Sequence, residues 1–222
     1  MRMQDVVPLP YLEDVCTYFA RIRDRPGAVL LDSARPFSPE GRFDLIASDP
    51  VAVLESRGGI TTLRQHGETT TVPGSPFRIL ENLLDSLRPT ERSVAGEWPF
   101  AGGAIGLFGY GLGADMARSA RRESGALPDL CVGIHGWALL QDHELRRSAA
   151  VFTTLIDPST RSEILHALAR PVPPPAAFAI SGRFTSNLTH TDYSRAFSRI
   201  HEYILAGDVY QVNFAQRLSA AG

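Results

Sequence analysis

Apolar positions recur along this chain in two rhythms. Between 11 and 23, Asp14, Val15, Tyr18, Phe19 and Ile22 fall at spacings of three and four, all but Asp14 apolar, which predicts a helix that Arg25-Pro26-Gly27 breaks. A continuous apolar run then predicts a buried strand over 28–33. After a polar loop rich in Pro and Gly, strands are expected over 43–47 and 51–56, interrupted at Asp49-Pro50. Gly58-Gly59 marks a hairpin into 60–64, and Gly67 a turn into 69–72, so that 43–72 reads as an antiparallel meander.

Ser75-Pro76 opens a second helix with Pro at its first position, a stripe of Phe77, Leu80, Leu83, Leu84 and Leu87, and a stop at Pro89. A glycine-rich strand spans 101–111, and strands over 131–141 and 149–156 join across Asp142-His143-Glu144. Asp157-Pro158 caps a short helix carrying Ile164, Leu165 and Leu168. The proline run beginning at Pro171 is an extended spacer. Beyond it, Thr189 and Asp192 fit a relaxed capping box for a helix with Tyr193, Phe197, Ile200 and Ile204 on one face, and Gly207 supplies the stop. The expected fold class is α+β, with antiparallel sheets and flanking helices, and no internal repeat is visible.

Composition narrows the function more by exclusion than by pointing. The chain has 222 residues, 44% apolar and 21% charged, and a formal net charge of −2. That balance leaves no electrostatic footprint for nucleic acid or an anionic membrane, and the clusters at Arg118, Arg121, Arg122 and at Arg146, Arg147 read as solvated surface. No apolar run approaches the roughly 18 residues of a membrane span, and the first residues hold no signal-peptide core; the expected compartment is the reducing cytoplasm. Cys16 and Cys131 lack CxxC spacing, and Cys131 sits in an apolar run as a small hydrophobe.

Chemistry-bearing patterns are few. The glycine run has neither the dinucleotide nor the phosphate-loop spacing, so its glycines are expected to allow tight strand packing. None of the six histidines pairs with another at metal-ligand spacing, and each reads as surface or structurally satisfied. Ser33 and Ser48 lack a nucleophile elbow. Asp44 and Asp49 are a conceivable carboxylate pair, although Asp49 before Pro50 fits a loop-stabilising role better.

The segment 207–218 is different. Read as a strand, it places Tyr210, Val212, Phe214 and Leu218 on one face, with Gln216 among them, and Val209, Gln211, Asn213, Ala215 and Arg217 on the other. Amides and a guanidinium on one face of a core-like strand suggest a polar cavity. Gln211, uncharged at any working pH, is unfit as a general base but able to hold a neutral nucleophile.

This segment resembles the GD-x-(Y/F)-Q-V-x-(L/F)-x-Q-R signature of the chorismate-utilising enzymes that make anthranilate or aminodeoxychorismate, and Asn213 brings it nearest to the aminodeoxychorismate synthase component I (para-aminobenzoate synthase) branch. Three further stretches agree: 28–33 with Arg42-Phe43-Asp44-Leu45 through Asp49-Pro50, the glycine run 102–110, and Leu127-Pro128-Asp129 through Trp137-Ala138-Leu139 and Asp142-His143.

The resemblance implies the N-terminal portion of a two-sheet sandwich, truncated: 1–170 an N-terminal domain, 171–183 a Pro-rich linker, and 184–222 the start of a chorismate-binding catalytic domain. It further implies amination of chorismate with ammonia from a glutamine amidotransferase (component II), with Gln211 in the nucleophile pocket. In water-using relatives a lysine stands at that place. Ser33, Arg42 and Phe43 fall in the region of a tryptophan pocket. Mg2+ is implied as cofactor, but its glutamate ligands and the catalytic lysine lie past residue 222, so no metal ligand and no activity are expected in these residues alone.

Two departures stand out, Gly111 and Gly136, where relatives usually carry acids. A strand at 209–218 without neighbours would leave an apolar edge and depress solubility. The competing expectations are an anthranilate synthase component I fragment, for tryptophan rather than folate biosynthesis, and a non-catalytic module binding an aromatic amino acid or a partner subunit.

Overall fold

A computed structural model describes residues 5–35, 40–87, 98–109, 112, 127–172, 177 and 179–220. The chain divides into two units, Met1–Val172 and Pro173–Gly222.

The first unit holds two five-stranded sheets, antiparallel throughout. One contains β1 (Asp5–Leu9), β2 (Val29–Leu31), β3 (Phe43–Ala47), β9 (Trp137–Asp142) and β10 (Arg147–Phe152), in the order β1-β10-β9-β3-β2. The other contains β4 (Ala52–Arg57), β5 (Ile60–Gln65), β6 (Glu68–Thr71), β7 (Gly103–Phe108) and β8 (Leu130–His135), in the order β6-β5-β4-β8-β7. Every strand of the second sheet thus comes from the stretch between Pro50 and His135, while the flanking stretches build the first.

The chain leaves the first sheet at Asp49-Pro50 and returns at Gly136. Both crossings meet at one carbonyl: Ser48 O accepts from the Trp137 indole N–H at 2.8 Å and lies 3.3 Å from His135 Nδ1. Asp49 takes a positive φ of 53° and is held by Arg25 at 2.7 Å and the Ser48 hydroxyl at 2.5 Å.

This corner corrects two expectations. The meander over 43–72 is split, with β3 in one sheet and β4–β6 in the other. The single strand over 131–141 is two strands in different sheets. The physical cause at the second crossing is the turn at Gly136, whose carbonyl accepts both the Thr153 amide and hydroxyl at 2.8 Å instead of a ladder partner. A Cβ at Gly136 would stand 3.0 Å from Ile156 and Leu155 side-chain atoms, which occupy the space an acid would need.

Alternation along β9 sorts the core. Trp137 and Leu139 join Ile46, Ala150 and Phe152 beneath α1 (Cys16–Ile22) and α3 (Pro158–Leu168), with Tyr18, Ile22, Ile164 and Leu168 filling the interface. Ala138 and Leu140 on the other face pack with Leu45, Val151 and Ile105 of β7. In the second sheet, α2 (Pro76–Leu87) seats Leu80 and Leu83 on Leu54, Leu130, Val132 and Ile134. The glycine run is as tight as expected, since a Cβ at Gly106 would fall 2.1 Å from the Cys131 carbonyl oxygen.

Other boundaries moved. The first helix starts at Cys16, because the Asp14 carboxylate accepts the Cys16 amide at 2.8 Å and ends the preceding loop. Strand β1 was not anticipated, since Pro8 interrupts its short apolar run; an edge strand tolerates the missing donor. Strand β2, expected to be buried, is an edge strand with Leu31 half-exposed, and Cys131 is only partly buried. Pro89, Tyr110 and Gly111, the run 173–176 and the arginines at 118, 121 and 122 lie outside the described residues.

In the second unit, α4 (His190–Ala206) begins at Thr189, whose hydroxyl accepts the Asp192 amide at 3.1 Å and donates to its carboxylate at 2.6 Å. It ends at Gly207, left-handed at φ 81°. Strands β11 (Thr185–Ser186) and β12 (Leu218–Ser219) pair as a two-stranded ribbon. No side chain of α4 is buried.

Candidate functional site

The residues singled out from the sequence lie in two places, one in each unit. In the first unit, β3 begins at Phe43, and its alternation puts Asp44 on the face of Ile46 and Phe43 on the face of Leu45. Asp44 is almost fully buried. One carboxylate oxygen accepts the Ser33 amide at 2.8 Å; the other lies 2.6 Å from His143 Nε2. His143 Nδ1 is in turn 2.9 Å from the Tyr11 hydroxyl, and the two rings meet edge-on at 5.8 Å.

The chain Tyr11–His143–Asp44–Ser33 therefore joins the N-terminal loop, the β9–β10 hairpin, β3 and the end of β2. With Asp44 ionised, Nε2–H donates to it and Nδ1 accepts from Tyr11, so every member of the chain is satisfied. The Ser33 hydroxyl is the exception, being buried with no hydrogen-bond partner among the described residues. It packs against Gly41, where a Cβ would come within 2.7 Å of Ser33 Oγ. The Arg35 guanidinium donates to the Gly41 carbonyl and closes the loop.

Arg42 and Phe43 form a separate cluster. The Arg42 guanidinium donates to both carboxylate oxygens of Asp142, at 3.2 and 3.0 Å, reaches Glu144 at 3.0 Å, and lies 4.7 Å from the Phe43 ring centroid. Asp142 has no exposed surface, and burial works to raise its pKa. The Arg42 hydrogen bonds and the amides of Leu145 and Glu144 outweigh that and hold it below the ordinary carboxylate value. The Asp142 hydrogen bonds in turn raise the Arg42 pKa.

The structure thus places Ser33 with Asp44, and Arg42 with Asp142. Asp44 and Asp49 are not a functional pair, since each carboxylate is taken up by different partners. The pairing of His143 with Tyr11 and Asp44 escaped notice in the sequence because these partners stand 132 and 99 positions from it. Gln141, fully buried, was missed for the same reason; its amide clamps the Leu12 backbone, donating at 2.7 Å and accepting at 3.3 Å.

In the second unit, the expected strand over 207–218 is a correction. Only Leu218–Ser219 is strand. Between 209 and 217 the backbone carries no ladder, because among the described residues only β11 offers a partner and its pairing begins at the Asn187–Arg217 contact. Gln211 is exposed, with its amide 3.4 Å from the Asn213 side chain, and Tyr210, expected on a core face, is 93% exposed. Phe214 alone finds an aromatic neighbour, Tyr193 at 5.1 Å.

Among the described residues no group of three or more His, Cys, Asp or Glu side chains is placed to hold a metal ion, so the donor set of a magnesium site is not assembled by them. No helix among them is long and apolar enough to cross a membrane.

Comparison with known proteins adds what geometry alone does not. The profile of the chorismate binding enzyme family matches residues 29–221. Aminodeoxychorismate synthase component 1 of Escherichia coli (strain K12) is 34% identical over 220 residues, which cover 97% of this chain and 47% of that protein. The Klebsiella aerogenes protein of the same name is 36% identical over the same shares. Anthranilate synthase component 1 of Pseudomonas putida is 26% identical over 90% of this chain. Among solved structures, anthranilate synthase component I from Streptococcus pneumoniae TIGR4 superimposes with a TM-score of 0.60 over 86% of this chain and 45% of its own, at 21% identity, a likeness of fold. The chain spans about half the length of the curated relatives it matches.

Proposed function

Because the chain belongs to the chorismate binding enzyme family, we propose that it is the N-terminal part of an aminodeoxychorismate synthase component I. The parent protein would aminate chorismate to 4-amino-4-deoxychorismate on the route to para-aminobenzoate and folate, working in the cytoplasm. The observation that carries this reading is the 34–36% identity to three proteins named component 1 of that enzyme along 97% of the chain, against 24–28% for the anthranilate synthase relatives.

Residues 1–170 serve as scaffold, 171–183 as spacer, and 184–222 open the substrate domain. Gln211 stands where the nucleophile enters. Its neutral amide can orient ammonia, which carries its own lone pair and needs no base to remove a proton. Ammonia comes from a glutamine amidotransferase subunit. Mg2+ is held by residues outside the described set, and the exposed 209–217 backbone takes up its ladder only with strands from the rest of the substrate domain. In the first unit, Ser33, Arg42 and Phe43 border a tryptophan pocket. Ser33 brings a buried hydroxyl without a partner among the described residues.

The test is product analysis. The polypeptide encoded by the whole reading frame, supplied with chorismate, glutamine, Mg2+ and an amidotransferase subunit, is expected to yield 4-amino-4-deoxychorismate. Formation of fluorescent anthranilate instead would overturn the assignment. Residues 1–222 alone, with ammonia and Mg2+, are expected to yield neither product, and turnover by them would refute the fragment reading.

A further inference from the structure

The segment 209–217 lacks a ladder, yet it is not loose along its whole length. Phe214 rests against Tyr193 of α4 at 5.1 Å, the Ser186 hydroxyl donates to Gln216 Oε1 at 3.2 Å, and the Arg217 amide donates to Asn187 Oδ1 at 2.8 Å. These contacts fix 214–217 on α4 and on the end of β11. Asn213 is the last residue before the anchored stretch, and Gln211 lies two positions further out.

The two amides are in contact: the Gln211 NH2 donates to Asn213 Oδ1 at 3.4 Å. A spacing of two keeps both side chains on one side of an extended backbone, so the pair stays together when neighbouring strands complete the ladder. The direction of this bond decides what the glutamine offers. A Gln side chain ends in a donor NH2 and an acceptor oxygen, and with the NH2 turned to Asn213 the free end is the oxygen. Ammonia presents N–H donors and one lone pair. An acceptor oxygen takes an N–H and leaves the lone pair free, whereas an NH2 group in the same place would bond the lone pair and tie up the nucleophile.

We propose that Asn213 is a positioning residue for Gln211: by accepting its NH2, Asn213 turns the Gln211 side-chain oxygen toward the incoming ammonia. The proposal rests on the nucleophile-pocket reading of Gln211 for its ligand, and on the Gln211–Asn213 bond for its mechanism. The lone pair left free forms the C–N bond as the C–O bond to the 4-hydroxyl breaks, and the hydroxyl leaves as water with one ammonia proton. Asn213, next to the anchored Phe214, is the fixed partner, and the longer Gln211 side chain is the one it orients.

Asn213→Asp and Asn213→Leu test the direction of the bond, because both keep the shape of asparagine. Aspartate can only accept, so it holds the Gln211 NH2 and leaves the Gln211 oxygen outward; leucine neither donates nor accepts. The polypeptide encoded by the whole reading frame would be assayed with chorismate, Mg2+ and an ammonium salt in place of the amidotransferase. Asn213→Leu is expected to lower kcat/KM for ammonia about tenfold, with KM for chorismate and the far-UV circular dichroism unchanged. Asn213→Asp should stay within about threefold of the unsubstituted protein. A purely structural loss would instead move the constants of both substrates and the helix signal.

Equal loss of ammonia use in the two variants would overturn the proposal, since an Asn213 that donates to Gln211 is disabled by aspartate as much as by leucine. Unchanged ammonia constants in Asn213→Leu would overturn it too. If the unsubstituted polypeptide forms anthranilate, the branch assignment falls, and the ammonia constants for that product decide the positioning role by the same comparison. If it forms no amine, the nucleophile-pocket reading falls, and the Gln211 side-chain NH2 resonances of residues 1–222, read by NMR, decide whether Asn213 positions the amide. A shift in Asn213→Leu that is absent in Asn213→Asp supports that role, and identical positions in all three proteins refute it.

Discussion

Helices α3 and α4 make an instructive pair. In α3 the Asp157 carboxylate caps the first turn by accepting the Ser159 and Thr160 amides at 2.9 and 3.0 Å, and Ile164, Ala167 and Leu168 are buried against α1 and the first sheet. In α4 the local signals are more complete, with a reciprocal Thr189–Asp192 cap and a left-handed Gly207, yet nothing is buried. Phe197 and Leu205 remain mostly exposed. End signals therefore define where a helix starts and stops, whereas burial decides how firmly it is held. The first unit has both sources of order, and the second, as described, draws on the local one.

The comparison is open to attack at several strengths. The largest effect is expected for Trp137→Ala in the first unit. That indole has no exposed surface, stacks on Phe152 at 5.7 Å and bonds Ser48 O, so its loss should cost about 3–5 kcal/mol in urea denaturation. The matching Tyr210→Ala should move stability by less than about 0.5 kcal/mol; a comparable loss would mean that the second unit is held by burial after all.

Next comes Gly106→Ala, whose methyl collides with the Cys131 carbonyl and should cost about 1–3 kcal/mol. Gly67→Ala supplies the contrast, because there the space is open and the penalty comes from the φ of 82°. Below that stands Thr189→Ala, worth about 1 kcal/mol of helix stability and visible in far-UV circular dichroism. An unchanged helix signal would show that α4 is maintained by something other than its cap.

The last is a slope with pH. Burial lowers the His135 pKa below 6.5, outweighing the Ser48 carbonyl and Asp49 charge that raise it. The unfolded chain then binds the proton more readily, so stability is full above about pH 6.5 and declines as pH falls toward the lowered value. His135→Phe should flatten the urea midpoint in that window.

Much of the first unit was legible because its signals are local. Gly58-Gly59 and Gly67 set the β4–β5–β6 turns, Asp157-Pro158 sets α3, and the stripe on α2 names the two leucines that are buried. The sheet exchange was not legible. Asp49-Pro50 announces an interruption, but of the residues that make it a corner, Ser48 stands 87 and 89 positions from His135 and Trp137. The polar chain is hidden likewise, since a lone histidine in the β9–β10 turn gives no hint that a carboxylate in β3 and a tyrosine before α1 await it. At 209–217 the fault was the reverse: the alternation is real, but a period of two makes a strand only where a neighbour completes the ladder.

The corner at Ser48 has an evolutionary reading. The stretch from Pro50 to His135 departs and returns beside a single carbonyl, and it meets the first sheet again where Ile105 packs on Ala138 and Leu140. Closing a loop of that length costs ~4 kcal/mol of chain entropy, a term that grows only with the logarithm of length. The loops of the excursion can therefore lengthen or shorten between relatives while β3 and β9 keep their register, provided that the corner and the Ile105 packing hold. His135 and Trp137, whose side chains share the Ser48 backbone carbonyl, are the positions expected to change together.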